Sequence, residues 1–244
     1  MKGILRIGTS GIVLPGSKKT FPQEFQSCTR LTYYSTLFNT LEINSTFYKL
    51  PSPTTFVKWS SEVGEDFRFT CKLPRSITHG KPLSYQPENI DRFMRASNGI
   101  GEKKGCLLVQ FPASVKIEHT GEVERILRRL NTLNESPDWK ICIEFRDVRW
   151  YGNETMLRIL DELNVSLVLH DMANSPTPLR FAGSPVYVRF HGPERNYRGS
   201  YSEPVLVSYA FAIKDWLLDR DVYVYFNNTI GDAFKNAQYL KRLI

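Results

Sequence analysis

The chain has 244 residues, of which 41% are hydrophobic and 23% are charged, as in globular proteins and unlike disordered or fibrous ones. Lysine and arginine number 32 against 25 aspartates and glutamates, so the formal net charge of +7 predicts a surface that favours anionic partners. The basic residues are spread along the chain, which argues against a dedicated nucleic-acid-binding tail.

Targeting signals and cysteine pairs are not evident in the sequence. No segment approaches the ~18 apolar residues of a membrane span, and the apolar run at 4–7 is too short for a secretory signal. The four cysteines are widely spaced without a C-x-x-C pair, which favours reduced thiols: Cys28, Cys71, Cys106 and Cys142. These features predict a cytoplasmic protein without a membrane partner.

Eight short apolar segments recur along the chain and are interpreted as β-strands. They lie at 4–8, 41–44, 67–72, 105–111, 140–145, 165–170, 185–190 and 221–226. Helices are predicted near 29–39, 53–62, 87–100, 120–134, 153–163, 205–218 and 231–243. Alternating strands and helices indicate a parallel sheet in the α/β class. Since eight is the barrel number, residues 1–244 are predicted to form a single (β/α)8 TIM-type barrel domain.

The crossover between the sixth and seventh strands differs from the others. Pro176, Pro178 and Gly183 fall within residues 171–184, and proline disfavours a continuous helix. The sixth crossover is therefore predicted to be reduced or irregular.

The predicted strands alternate apolar and polar residues, whereas parallel strands covered on both faces are usually apolar throughout. In the fifth strand, Ile141 and Ile143 share one face while Glu144 and Arg146 share the other. Because helices cover the outer wall of a barrel, the apolar faces are expected outside and the polar faces inside. Charged side chains inside the barrel must either form ion pairs with one another or bind a ligand of opposite charge.

The glycine- and lysine-bearing loop after the first strand does not match a nucleotide P-loop. A P-loop needs a lysine directly after its second glycine, whereas Ser17 separates Gly16 from Lys18. Phe21-Pro22 also replaces the expected helix. We interpret residues 12–20 as a flexible, basic lid over the barrel mouth.

Two further chemistries are considered and not adopted. His170, Asp171, His191 and Glu144 could supply metal ligands, but H-x-H and H-E-x-x-H motifs are absent and neighbouring arginines would oppose a cation. We therefore assign no metal and no cofactor, and favour hydrogen-bonded histidines over metal-ligating ones. A G-x-S-x-G elbow is absent, so a hydrolytic triad is not expected.

Basic and amide side chains at the strand ends form the main candidate site, because they are the donors that a carboxylate or phosphate needs. The candidate substrate-binding residues are Lys72, Gln110, Arg146, Arg189, His191, Asn227 and Asn228. Glu42 and Glu144 are candidate catalytic acids or bases. The alternative is a ligand-free network in which the arginines balance these two carboxylates.

Motifs spread from residue 8 to 240 also form a characteristic series. They are Gly8-Thr9-Ser10-Gly11, the segment 38–48, Ile77-Thr78-His79, Gln110-Phe111-Pro112, Glu144-Phe145-Arg146, the segment 187–192, Tyr197-x-Gly199-x-Tyr201, the segment 223–228, Gly231 and Asn236-Ala237. The series resembles the YecE-like family, domain of unknown function 72. The resemblance implies a TIM-type barrel but no activity.

Four residues join the candidate site through these motifs. Asn44, Tyr48 and His79 are added as substrate-binding residues, and Asp171, the matching residue at the end of the sixth strand, as a catalytic one. Ile12 departs from the family pattern, which usually has a tryptophan there.

Three functions stay open at this point. The first is binding of, or reaction with, an anionic small molecule or phosphate group at the mouth, with the reaction class undetermined. The second is a nucleic-acid-binding or repair-associated protein, because the family barrel is similar in outline to endonuclease IV. The third is a non-catalytic binding barrel.

Overall fold

The computed structural model describes residues 3–81, 83–134, 138–172, 174, 176–177, 184–194 and 196–244. The β-strands are Leu5–Thr9 (β1), Thr40–Ile43 (β2), Arg68–Lys72 (β3), Lys104–Phe111 (β4), Lys140–Phe145 (β5), Ser166–Leu167 (β6), Leu169–His170 (β7), Val186–Phe190 (β8), Arg198–Gly199 (β9), Val222–Phe226 (β10) and Ile230–Gly231 (β11). The α-helices are Arg30–Leu37 (α1), Ser45–Tyr48 (α2), Pro53–Ser61 (α3), Arg75–Thr78 (α4), Pro87–Ser97 (α5), Thr120–Thr132 (α6), Glu154–Glu162 (α7), Glu203–Trp216 (α8) and Ala233–Leu243 (α9). Every predicted strand and helix overlaps one of these elements.

In the described part of the chain, nine strands form two parallel sheets, with orders β1-β10-β8-β7 and β2-β3-β4-β5-β6, and β9 pairs with β11. Two features connect the sheets. Ser10, directly after β1, forms a parallel bridge with Glu42 of β2. The predicted sixth strand divides at Val168, so that β6 pairs with β5 while β7 pairs with β8. The chain thus has an α/β fold with parallel sheets, as predicted.

The alternation along the strands separates two apolar clusters. The larger one unites one strand face with the helices and includes Ile43, Val109, Ile143, Val188 and Val224. The smaller one comes from the opposite strand face and comprises Cys106, Leu108, Cys142, Val168, Tyr187, Tyr223 and Tyr225. The prediction that the apolar strand face packs against the helices is therefore confirmed.

The helices follow from amphipathic spacing and side-chain caps. In α6, the buried residues Val123, Ile126, Leu127 and Leu130 recur at the spacing of one helix face. Asn153 caps α7 by accepting the backbone N–H of Met156 at 2.9 Å. Among the described residues, no helix is both long and apolar enough to cross a bilayer.

The sixth crossover is described only in part. Residues 173, 175 and 178–183 lie outside the described residues, and no helix or strand occurs in the described part of 171–184.

The loop 12–20 after β1 contacts the apolar core. Leu14 is buried in the larger apolar cluster and Ile12 packs against it. This end of the loop is anchored on the helix side of the strands.

Candidate functional site

A buried ion network joins the polar faces of the two sheets. Arg189 of β8 donates from Nη1 to Oε2 of Glu144 on β5 at 2.6 Å, and from Nη2 to Oε1 of Glu42 on β2 at 2.8 Å. The Arg189 side chain is 1% exposed and both glutamates are fully buried. An unpaired charge would be strongly unfavourable there, so the three groups depend on one another.

Glu42 has two further partners besides Arg189. Ser10 donates its hydroxyl to Glu42 Oε1 at 2.6 Å, and Tyr187 donates its hydroxyl to Oε2. Burial alone would raise the pKa of Glu42, but the Arg189 guanidinium and the two hydroxyl donors outweigh it and leave this pKa below its usual range. Glu42 is therefore ionised at neutral pH.

Glu144 is ionised for the same reason. Arg146 Nε donates to Glu144 Oε1, and Arg146 Nη2 donates to Nε2 of His191 at 3.0 Å. Burial opposes ionisation, yet Arg146 and Arg189 hold the pKa of Glu144 well below its usual range. Both glutamates are therefore paired carboxylates, and their role as catalytic acids or bases stays a prediction.

A cavity of about 240 Å³, here called the mouth cavity, adjoins this network at the carboxyl ends of the strands. An outer cavity of about 530 Å³ shares five lining residues with it: Phe47, Tyr48, Lys72, Arg146 and Tyr197. Within the described ranges, neither cavity is lined by an aspartate or glutamate. The cleft formed by the two cavities is therefore lined by cations without facing carboxylates.

Lys72, the last residue of β3, lines both cavities. Its Nζ lies 4.2 Å from the ring centre of Phe47, and no carboxylate in the described part of the chain forms an ion pair with it. Burial, followed by the charge of Arg189, lowers the pKa of Lys72 to about 8. The positive charge of the Lys72 ammonium is thus only partly balanced by negative charges nearby.

Most of the predicted substrate-binding residues come together in this cleft. Asn44, Tyr48, Lys72, Arg146, Arg189 and Asn227 line the mouth cavity, while His79 and Gln110 line the outer one. The Oδ1 atom of Asn44 is buried without a hydrogen-bond partner among the described residues. Burial, with the charge of Lys72, lowers the pKa of His79 to about 4, so this imidazole is neutral at physiological pH.

Three other predicted residues hold loops and do not line the cleft. Asp171 accepts the backbone N–H of His191 at 2.7 Å and also the hydroxyl of Tyr201. Asn228 donates to the carbonyl of Gly199 at 2.9 Å. These contacts position the loops, while Nδ1 of His191 and Oδ1 of Asn228 are buried without a hydrogen-bond partner among the described residues. The catalytic role of Asp171 and the substrate-binding roles of His191 and Asn228 stay predictions. Residues 12–20 do not line the cleft either, and their role as a lid stays a prediction.

The cleft also contains residues that the sequence analysis did not select. Ser10, Phe47, Tyr197 and Thr229 line the mouth cavity. Tyr197 has φ of +67°, a left-handed conformation that is unfavourable for a bulky residue and is concentrated at functional sites. Its place in the Tyr197-x-Gly199-x-Tyr201 motif was the available signal, since this segment has no periodic pattern.

The histidines engage in protein hydrogen bonds. His170 Nε2 lies 2.8 Å from the Tyr151 hydroxyl and 3.1 Å from the carbonyl of Phe145. Across the described ranges there is no group of three or more His, Cys, Asp or Glu side chains placed to hold a metal.

Together, the fold and the cleft define an α/β protein with parallel sheets and a cation-lined cleft at the carboxyl ends of its strands. The chain belongs to the family described as "Protein of unknown function DUF72", whose model matches residues 6–244. The resemblance inferred from the sequence motifs is thereby confirmed.

Curated relatives of the chain carry the UPF0759 designation. UPF0759 protein YunF of Bacillus subtilis (strain 168) is 24% identical over 261 aligned positions, covering 92% of this chain and 89% of YunF. UPF0759 protein YecE of Escherichia coli (strain K12) is 31% identical over 86 residues, covering 35% of this chain. That match spans only 32% of the length of YecE.

Solved structures agree on the fold. A DUF72 family protein from Enterococcus faecalis V583 superposes with a TM-score of 0.80 at 24% identity, covering 98% of this chain and 95% of that one. One from Thermotoga maritima MSB8 gives 0.76 at 26% identity, covering 98% of both chains. A fusion protein with a xylose isomerase-like TIM barrel gives 0.50 at 13% identity, covering 99% of this chain and 43% of that one, so it shares the fold alone.

Proposed function

We propose that residues 1–244 form one closed (β/α)8 barrel and that this barrel binds a small carboxylate- or phosphate-bearing anion in the cleft at its mouth. Closure is supported by the bridge between Ser10 and Glu42 and by the sixth strand, whose halves pair with different sheets. The likeness to a TIM-barrel protein agrees with it. In such barrels, ligands bind at the carboxyl ends of the strands.

The observation that carries the proposal is the charge of the cleft lining. Lys72 and Arg146 line both cavities and Arg75 lines the outer one, while no described aspartate or glutamate does so. The carboxylates of Glu42 and Glu144 lie beneath the cleft, where Arg189 and Arg146 already balance them. Lys72 is therefore an excess charge, and an anion would compensate it.

Arg189 and Arg146 have different roles in the proposed site, and these roles follow from the same contacts. Arg189 is committed to two carboxylates through its two terminal nitrogens, so it serves as the fixed positive floor of the cleft. Arg146 uses Nε and Nη2 for Glu144 and His191. A ligand carboxylate or phosphate would accordingly contact Lys72 and the remaining edge of Arg146. Arg189 also lines the mouth cavity and its Nε has no hydrogen-bond partner among the described residues, so a direct contact of Arg189 with the anion stays a prediction.

The size of the mouth cavity favours a small ligand. Pockets for drug-sized molecules have volumes of roughly 300–1,000 Å³, and the mouth cavity, at about 240 Å³, lies below that range. The amides of Asn44 and Asn227 supply further polar contacts, and Asn44 Oδ1 is available to accept one hydrogen bond. A metabolite with one anionic group and one further polar group fits these features.

The proposal is tested by isothermal titration calorimetry and thermal shift with inorganic phosphate and small carboxylates. Binding to the native state should raise the melting temperature in proportion to the logarithm of ligand concentration. Lys72→Met should abolish this response, whereas Lys58→Met, on the exposed face of α3, should retain it. Absence of any response in the wild type, or an unchanged response in Lys72→Met, would contradict the proposal.

A second candidate, single-stranded nucleic acid, is favoured by one feature of the rim. Tyr48 is 74% exposed and borders a depression also lined by Lys49, Arg75 and Arg92. Exposed aromatic rings beside basic side chains can stack bases and contact phosphates. In this case, oligonucleotide affinity should fall steeply with salt and should weaken in Arg92→Met, which lies outside both cavities, while binding of inorganic phosphate should be unaffected in that variant.

A further inference from the structure

We infer that Lys72 is a nucleophilic amine that forms an imine with a small anion carrying an aldehyde or ketone group. This inference rests on the proposed anion site and names the substrate class and the reacting atom. It makes the cleft a reaction site for carbonyl-bearing carboxylates and assigns to Lys72 a role beyond attraction of charge.

The position of Lys72 meets the geometric needs of such a nucleophile. Its side chain extends from the end of β3 into the region where the two cavities join, and the Phe47 ring lies 4.2 Å from Nζ. Arg146 lines the same two cavities and can hold a carboxylate beside the amine. A carbonyl carbon adjacent to that carboxylate would then lie within reach of Nζ.

The surroundings of Lys72 also favour the reactive, uncharged amine. No described carboxylate forms an ion pair with it. Burial, followed by the charge of Arg189, disfavours its ammonium form, and the charges of Glu144 and Glu42 offset this effect only in part. Its pKa is about 8, against about 10.4 for an ordinary lysine. The buried lysines that form Schiff bases in enzymes are activated in the same two ways, by desolvation and by neighbouring cations.

The reaction is balanced without an oxidant or reductant. The ammonium first loses a proton to solvent, and the nitrogen lone pair then forms a bond to the carbonyl carbon as the C=O π bond breaks. A proton passes from nitrogen to oxygen, which gives a carbinolamine. The hydroxyl then takes up a proton from solvent and leaves as water as the C–O bond breaks and the nitrogen lone pair forms the C=N bond. The nitrogen of the resulting iminium releases its remaining proton to solvent. One amine and one carbonyl thus yield one imine and one water.

The test uses the full chain with glyoxylate and sodium cyanoborohydride, which reduces an imine to a stable secondary amine by adding hydride to its carbon. Peptide mass mapping then locates the adduct. We expect Lys72 to be labelled roughly tenfold or more faster than any other lysine near neutral pH, as its lowered pKa dictates. Lys72→Arg keeps the charge but cannot form this imine and should lose the fast labelling, whereas Lys58→Met should keep it.

Glycolate separates this inference from the proposed function, because it has the carboxylate of glyoxylate but no aldehyde group. Glycolate should raise the melting temperature and slow the labelling of Lys72 by competition. Thermal stabilisation by both acids with labelling spread evenly over surface lysines would overturn the imine and leave the anion site standing. If neither acid stabilises the protein and Lys72 is not labelled, both proposals are wrong.

Discussion

Arg189 on β8 and Glu42 on β2 belong to different sheets, and 2.8 Å separates Nη2 of the arginine from Oε1 of the glutamate. The same guanidinium holds Glu144 of β5 at 2.6 Å. One side chain thus links three strands across the interior. The network of Arg189, Glu42 and Glu144 consequently forms the floor of the cleft and also links the two sheets through ion pairs.

Removal of the Arg189 guanidinium should destabilise the protein strongly. Arg189→Met leaves Glu42 buried without its counter-charge, and we expect a loss of about 3–5 kcal/mol in the free energy of unfolding. Urea denaturation measures it. The control is Arg128→Met, which breaks exposed pairs with Glu124 and Glu162 and should cost below about 1 kcal/mol. Equal effects in the two variants would contradict the structural role of Arg189.

Replacement of Lys72 should have the opposite effect at neutral pH. Its pKa is lowered to about 8, so the folded state disfavours the charge that the unfolded chain accepts freely. Lys72→Met removes that penalty while keeping an extended side chain, and we expect a gain on the order of 1–3 kcal/mol near pH 7.

The pH dependence of this gain has a defined sign. Below about pH 8 the ammonium is present in both states of the wild type, and the penalty is constant. Between about pH 8 and 10.4 the folded protein loses the proton first, so the penalty fades. The difference between Lys72→Met and wild type in urea denaturation should therefore shrink as the pH rises through that window, and a constant difference would refute this explanation.

The hydroxyl of Tyr225 provides a third prediction. It lies 2.6 Å from Thr40 Oγ1 and 2.7 Å from Thr70 Oγ1, both buried on neighbouring strands. Tyr225→Phe should cost about 1–3 kcal/mol, because two buried hydroxyls each lose a partner. Tyr223→Phe is the matched control, since this tyrosine is also buried and no hydrogen bond contributes to the shift of its pKa. Thermal or urea denaturation should show a clearly smaller loss for the control.

The buried imidazole of His170 should make the protein sensitive to mild acid. Burial lowers its pKa to about 4, while the unfolded chain takes up a proton near pH 6.5. The unfolded state therefore binds more protons between these values, and stability must fall as the pH is lowered through about 6.5 toward 4. NMR titration of the ring should give a midpoint near the lower value, and a midpoint near 6.5 would show that the ring is not desolvated as described.

The strands and helices could be predicted because their signals are local. Alternation of Ile141 and Ile143 with Glu144 fixes which strand face meets the helices, because successive side chains point to opposite faces. The convergence of polar residues at the carboxyl ends was also accessible, since neighbouring parallel strands place those ends together. Tyr197 was not selected, because its backbone conformation depends on a loop without periodicity.

The sequence by itself determined an α/β chain with parallel strands, an apolar face toward the helices and a set of charged residues toward the opposite face. Only the tertiary structure decided how those charges are distributed. Glu42 and Arg189 are separated by 147 positions along the chain, and no local pattern specifies which buried charges meet at such a separation. Pairing depends on distances of a few ångströms between strands of different sheets, and it is this pairing that leaves Lys72 without an ion-paired carboxylate among the described residues.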